Sequence, residues 1–513
     1  MLVLLLAGGG ARLTAQTPRT AYEELQNFSG VLNYIRLNYP DSVGYGELVT
    51  AAIRGMLRSL DPHSYYVSRA GLATRGALDR GELFSVGLAL EEVDEAATVL
   101  AVAPRSAADK AGILPGDRID RLNDTSVAGL DMETLELRLA GPKGSKVRLQ
   151  LERGPRLEPD TFSVTLKRDP FEMRSVSFVR MIDGETGYLR VEQFREKAAD
   201  EVHDALSKLQ DMDARRVILD LRANPGGIIV SAVEVASELF PKNTVIFRTR
   251  GRRREADTTY VTKRNGAFRD VPLIVLIDER SASAAEALAG SLQDHDRAVL
   301  VGRRTFGKAL MQSVFLLPSG DNVWLTIGHV LTPSGRFIQR RYRGLGYEQY
   351  LSFAGASGAQ EDTTAVFKTD NGRIVRGGGG IVPDVVVPVT APLPIWWTAA
   401  ADSGFDDAVS DSVAQTLPPT PAARASWLAS DREWRAKLLP PFLARVRTRL
   451  AVAAPTDTLL EHRLARILAA RVAEVRWGSD AWEEFLLRND PTIRIALAQF
   501  SRLSALLSAP PPK

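Results

Sequence analysis

Apolar residues recur at three- to four-residue intervals over residues 20–60. They are Tyr22, Leu25, Phe28, Val31, Leu32 and Ile35, then Val49, Ile53, Met56, Leu57 and Leu60. This period predicts two amphipathic helices, and Asp61-Pro62-His63 stops the second. From Gly81 the pattern breaks into short strands and turns: Phe84–Leu90 and Thr98–Val102 read as β, and Lys110–Asp117 as a short helix end and turn. A helix capped by Asp131 runs to Leu139, and Val147–Leu151 and Phe162–Leu166 close the unit. That composition predicts a small β-domain with two helices.

From about Asp169 the texture changes again. Tyr188–Val191 precedes a helix around Asp200–Leu209, Val217–Leu221 precedes Ile229–Leu239, and Leu273–Ile277 precedes Ala284–Leu292, with Val299–Val301 beyond. Short β-branched runs alternating with helices predict a mostly parallel sheet covered on both faces. Past Pro388, Ala, Arg, Pro and Leu dominate, with breaks expected at 418–421, 440–441 and 510–512 and an apolar stripe of Leu460, Leu464, Ile467, Leu468, Val472 and Val475. The expected fold is α/β multidomain: a helical N-terminal region at 17–80, an inserted β-domain at 81–168, an α/β core at 169–390 and a helical C-terminal region at 391–513 of unassigned role.

Composition narrows the function classes. A length of 513 residues and 45% hydrophobic content fit a multidomain globular chain. The net charge of +3 gives no basis for a nucleic-acid partner. The absence of cysteine excludes thiol catalysis, thiolate zinc sites and disulfides. The apolar run Leu2–Ala7 and the following Gly8–Gln16 resemble a signal peptide over residues 1–16, so an exported, periplasmic or secreted bacterial protein is expected. No later apolar run is long enough to span a membrane. The terminal helices are where an oligomer would form.

No H-E-x-x-H or G-x-S-x-G motif occurs, and the five histidines do not pair at metal-ligand spacing. No cofactor or metal is expected. The loop Gly302–Lys308 nearly matches a phosphate loop, but Ala309 stands where a magnesium-binding hydroxyl is needed. Ser281-Ala282-Ser283-Ala284-Ala285-Glu286 lies between a strand and a helix. A serine there is either a helix cap or a nucleophile backed by outward-facing helix amides. A second glycine turn, Arg222–Gly227, follows the strand Val217–Leu221. Both turns gather at one sheet edge, where nucleophile and oxyanion donors can meet, and Lys308 arrives at the same edge.

Asp220–Gly227, Ser281–Glu286 and Thr305–Lys308, with Gln293-Asp294, Leu325-Thr326, Thr332–Gly335 and Gly380–Asp384 in the same order, resemble the carboxyl-terminal processing, or tail-specific, serine proteases over roughly residues 30–390. The resemblance implies Ser283, not Ser281, as nucleophile, Lys308 as general base and Gln312, one helical turn on, as the residue that orients the lysine. It implies the backbone N–H of Ala284 and of Gly226 or Gly227 as oxyanion donors, and Asp294 as a supporting acid near the site. A lysine acts as base only when neutral, which burial favours, and serine–lysine pairs are a variant of triad chemistry. Ala285 and Ala309 depart from the family pattern, as does the length of the stretch 339–376.

The small β-domain resembles the PDZ domain of these proteases. Gly81–Leu88 matches its carboxylate-binding loop, which implies peptide contacts by Phe84, Ser85, Val86, Gly87 and Leu88, with Ser85 in place of a glycine. Such domains take a peptide as an extra strand. The expected activity is therefore a serine endopeptidase that cleaves protein substrates near their C-termini and recognises those termini with its PDZ module. Two other readings are a catalytically inactive PDZ scaffold or chaperone of the same fold, and a nucleotide-dependent switch.

Overall fold

A computed structural model describes residues 20–79, 84–93, 96–103, 106–114, 116–130, 132–153, 159–170, 174–345, 350, 365–388, 393–450 and 457–507. The expected signal peptide, Gly81–Leu83 and the capping Asp131 lie outside the described residues.

Helices α1 (Ala21–Asn38) and α2 (Tyr45–Leu60) open the chain. Thr20 and Glu23 form a reciprocal capping box that starts α1. The apolar period is present in α1, yet none of its residues is buried, and α2 buries Leu57 alone. Strand β1 (Tyr65–Val67) then pairs antiparallel with a strand far along the chain, Tyr65 opposite Trp324, and α3 (Arg69–Asp79) follows.

The β-domain comprises β2 (Leu88–Val93), β3 (Ala96–Val102), α4 (Ala107–Lys110), β4 (Arg118–Leu122), β5 (Thr125–Ser126), α5 (Met132–Leu139), β6 (Lys146–Arg153) and β7 (Asp160–Lys167). Its strands run in the order β2-β3-β4-β6-β7, with β5 on β4. Burial alternates along β6: Val147, Leu149 and Leu151 face inward onto Leu135 and Leu139 of α5. The first segment is shorter than its apolar pattern suggests. Phe84 makes only an isolated bridge to Gly141, and the strand proper begins at Leu88.

The core contains β8 (Val176–Met181), β9 (Thr186–Val191), α6 (Ala198–Asp211), β10 (Arg216–Asp220), α7 (Ile229–Leu239), β11 (Val245–Gly251), β12 (Thr258–Val261), β13 (Leu273–Ile277), α8 (Ala284–Asp294), β14 (Val299–Gly302), β15 (Leu310–Leu316), β16 (Asn322–Leu331), β17 (Val366–Lys368), β18 (Ile374–Arg376) and β19 (Val385–Val386). One sheet has the order β19-β14-β13-β10-β9-β8. Its pairings are parallel except for the edge pair β8–β9. All five residues of β13 are buried, as a strand covered on both faces requires. Helices α6, α7 and α8 cover one face. A second sheet, β1-β16-β11-β12 with β15 on β16, lies beside it.

The C-terminal region forms α9 (Ile395–Asp402), α10 (Phe405–Thr416), α11 (Pro421–Ala429), α12 (Asp431–Leu450), α13 (Thr458–Trp477), α14 (Ser479–Asn489), α15 (Pro491–Gln499) and α16 (Leu503–Leu507). It has its own core around Trp427, Trp434, Phe442, Leu468 and Phe485. The break expected at 440–441 is absent, because α12 runs through Pro440 and Pro441. Leu438, Leu439, Phe442 and Leu443 on either side are buried, so packing outweighs the roughly 3 kcal/mol that an interior proline costs. Beyond this core, Ile493 and Ala496 of α15, with Leu503 and Leu506, close the second face of the parallel sheet against Ile218, Ile274, Leu276 and Val301.

Candidate active site

Strands β10, β13 and β14 end at one edge of the sheet, so the turns that follow them meet there. After β13 the two serines have different environments. Ser281 is fully buried; its hydroxyl accepts from the Asp278 amide at 3.0 Å and donates to the Leu221 carbonyl at 2.8 Å. It ties two turns together. Ser283 sits at the start of α8 with φ 55° and ψ −115°, a conformation that costs a non-glycine residue about 1–3 kcal/mol. It is only partly buried, and the first-turn amides of α8 lie beyond it.

The turn after β10 is welded to this one. Asn224 is fully buried; its side-chain amide donates to the Val191 carbonyl at 2.8 Å, and its own carbonyl accepts from Ala282 at 2.9 Å. Gly226 has φ 101°, and a Cβ there would lie 2.8 Å from the Ser283 Cβ and 2.9 Å from the Ala284 nitrogen. Only glycine lets the turns approach this closely. The Gly226 N–H is committed to Asn224 Oδ1 at 2.8 Å, so it is not an open donor as expected. The Gly227 N–H meets no acceptor among the described residues, while a Cβ on Gly227 would collide with the Phe194 carbonyl at 2.2 Å.

Lys308 enters from the loop after β14. That loop wraps the carboxylate of Glu286, which is fully buried. Oε1 accepts from the Thr305 hydroxyl at 2.5 Å and the Gly307 amide at 2.6 Å; Oε2 accepts from the Lys308 and Ser283 amides, each at 2.8 Å. The near phosphate loop is thus an amide cradle filled by an internal carboxylate. Burial pushes the Glu286 carboxyl up to about 7 against these four donors. Burial also lowers the Lys308 ammonium below its ordinary range, opposed by the charges of Glu286 and Asp61.

The segment after α2 forms the other wall. Asp61 accepts from the His63 amide at 2.8 Å, the Ser64 hydroxyl at 2.7 Å and the Thr326 hydroxyl at 3.0 Å. His63 Nε2 lies 2.8 Å from the Tyr350 hydroxyl. Burial, then the Lys308 charge, depresses the His63 imidazole to about 3, so it is neutral throughout the working range. Tyr350 stacks edge-on against Phe306. Asp61 and His63 escaped sequence reasoning because Asp-Pro-His reads locally as a helix stop. Two ionisable residues inside a helix stop were the available signal.

Two expected positions differ. Gln312 is on strand β15, not on a helix, and its amide donates to the Leu310 carbonyl and the Thr326 hydroxyl, both at 3.2 Å. Asp294 stands at the far end of α8 from Ser283, about 16 Å away at 1.5 Å per residue. It is buried against Arg336 and accepts the Ser334 amide at 2.9 Å, so it braces the 332–336 turn.

In the β-domain, Phe84, Ser85 and Leu88 are partly buried, whereas Val86 is completely buried in the domain core. Val86 therefore supports the loop and cannot line a ligand. Gly87, at φ 89°, leaves no room for a side chain beside Ser106. Strand β2 is an edge strand of its sheet.

Residues 185–347 match the model for peptidase family S41, and residues 98–153 match a PDZ domain. A carboxy-terminal-processing protease of Bartonella bacilliformis is 30% identical over 331 residues, covering 64% of this chain and 75% of that protein. The carboxyl-terminal-processing protease of Synechocystis sp. is 33% identical over 293 residues, covering 56% and 68%. A solved photosystem II D1 C-terminal processing protease is 27% identical with a TM-score of 0.47, covering 62% of this chain and 83% of that one. The chain belongs to peptidase family S41, among the carboxy-terminal processing proteases, and is a serine peptidase with a PDZ domain.

Proposed function

We propose that the chain cleaves protein substrates near their C-termini, with Ser283 as nucleophile and neutral Lys308 as its base. The observation that carries this reading is the shared carboxylate of Glu286, which holds the amides of Ser283 and Lys308 on one oxygen atom. A serine hydroxyl needs an adjacent base, and burial favours the neutral lysine that can serve. Ser281 is occupied structurally, which supports Ser283 instead. The oxyanion of the tetrahedral intermediate would be held by the Ala284 and Gly227 amides. Gln312 acts through Thr326 and Asp61, which it reaches by hydrogen bonds, rather than as a helical neighbour of the lysine.

In this reading residues 81–168 recognise the substrate, residues 169–390 cut it, and the free edge of β2 takes up the substrate's terminal strand. Among the described residues no helix is long and apolar enough to cross a membrane. Export is proposed from the sequence of residues 1–16. The test is incubation of the purified protein with unfolded casein, with and without ATP or chelator, beside Ser283→Ala. Cleavage independent of both additives and lost in the variant supports the reading. Cleavage that survives Ser283→Ala refutes it.

A further inference from the structure

The turn after β10 is gripped by a residue 268 positions further along the chain. Arg222 donates from Nη1 to Asp490 Oδ2 at 2.7 Å. Its Nε and Nη2 hold Asp220 at 3.0 and 2.6 Å, and its own amide donates to Asp220 at 2.9 Å. Asp220 is fully buried and also accepts from the Tyr188 hydroxyl at 2.7 Å. Arg222 therefore lies between two carboxylates, one from the sheet and one from the C-terminal region.

Asp490 has a second task. Its Oδ1 accepts the Thr492 amide at 2.7 Å and the Ile493 amide at 3.4 Å, capping α15 ahead of Pro491. The same helix buries Ile493 and Ala496 against the back of β10, β13 and β14. One side chain thus joins a helix on the rear face of the sheet to the turn on its reactive edge. Two residues beyond Arg222, Asn224 binds Ala282, and Gly226 touches Ser283.

We propose that Asp490 is a positioning residue for peptide cleavage: through Arg222 it sets the 222–227 turn, and with it the Gly227 amide, against Ser283. The inference rests on the reading of that turn as an oxyanion donor. Donors for an oxyanion are effective only when held close to the position the charge will occupy, and a displacement of about 1 Å costs as much as two orders of magnitude in rate. The stabilisation arises in the transition state, so its loss lowers kcat rather than raising KM.

Asp490→Asn isolates this role. Asparagine caps a helix as well as aspartate does, so α15 keeps its start while Arg222 loses its second carboxylate. In full-length enzyme assayed on an internally quenched peptide, kcat is expected to fall about 5- to 30-fold with KM within about twofold and an unchanged melting temperature. Asp490→Glu restores the carboxylate but not the helix cap, so kcat should recover in part while the melting temperature falls. Ser283→Ala is measured in parallel. If Ser283→Ala is inactive and Asp490→Asn turns over like the parent, the inference fails while the site reading stands. A kcat loss accompanied by an equal rise in KM and a lowered melting temperature also overturns it, since general destabilisation then accounts for the effect. Cleavage that survives Ser283→Ala overturns both.

Discussion

The backbone amides of Ser283 and Lys308 converge on a single oxygen, Oε2 of Glu286, each at 2.8 Å. The remaining oxygen holds Thr305 and Gly307. One carboxylate therefore sets the spacing between the proposed nucleophile and the proposed base, although its own side chain is hydrogen-bonded to neither functional atom.

Glu286→Gln should be severe for this reason. The amide keeps one acceptor and presents an NH2 to N–H groups that need acceptors. The expected cost is about 1–3 kcal/mol of stability, in the range for leaving a buried N–H donor without its acceptor, with cleavage reduced at least about a hundredfold. Because the Glu286 carboxyl is raised from 4.5 to about 7, its contribution to stability is fully present below pH 4.5 and is lost as pH climbs through 7. Chemical denaturation of parent and variant across pH 4–8 measures both effects, and a parent-like slope in the variant would remove Glu286 as its source.

Ser283→Ala should abolish cleavage and leave the fold intact. Ser281→Ala should do the reverse. It strands the Asp278 amide and leaves the Leu221 carbonyl with only the Asn224 amide, at 3.3 Å, at a cost of about 1–3 kcal/mol, and retains substantial turnover well below its melting temperature. An inactive, fully stable Ser281→Ala protein would reverse the assignment.

Lys308→Arg should be nearly as inactive as Lys308→Ala, because arginine cannot give up its proton at usable pH. Activity should rise with pH through the depressed lysine pKa, since the neutral form is the base. His63 titrates near 3, so His63→Asn should leave the position of that rise without a missing step near 6.5. Near-normal turnover by Lys308→Arg would show that only positive charge is needed.

The PDZ domain should read a free carboxylate. In Ser283→Ala protein, calorimetry with matched acid and amide peptides ending in Leu-Ala should show about a ten- to hundredfold preference for the acid, equivalent to about 1–3 kcal/mol. Val86→Ala should lower the stability of the domain, since that side chain is buried, while Ser85→Gly should alter affinity alone. Equal binding of acid and amide would make the module a spacer or a reader of internal segments.

The parts of the molecule that were legible share one property: their cause is local. Leu273–Ile277 and Ile229–Leu239 have the boundaries that their apolar runs imply, because a short β-branched run and a longer amphipathic one differ in length and period. Gln312 was misplaced because Ala309-Leu310-Met311-Gln312 has good helix propensity, and pairing with β16 overrides it. Glu286 stands three residues after Ser283, as in a capping box, and that accounts for one of its four partners. The other three come from a loop near residue 305. Thr326, bound to Asp61, and Tyr350, bound to His63, are 265 and 287 positions away, beyond the reach of any window. In α1 the period was right, but a stripe does not say what covers it.

The closing of the parallel sheet by α15 and α16 has a consequence for biosynthesis. The last strand of that sheet ends at Val386, and the helix that caps its rear face begins at Pro491. At about 5–20 residues per second, a ribosome needs several seconds to roughly twenty seconds to cover that interval. Throughout it the emerging enzyme carries an uncovered apolar sheet and an Arg222 without Asp490. On the role proposed for Asp490, the edge that carries Ser283 is completed only when the tail arrives, so the onset of proteolysis would lag synthesis by that interval.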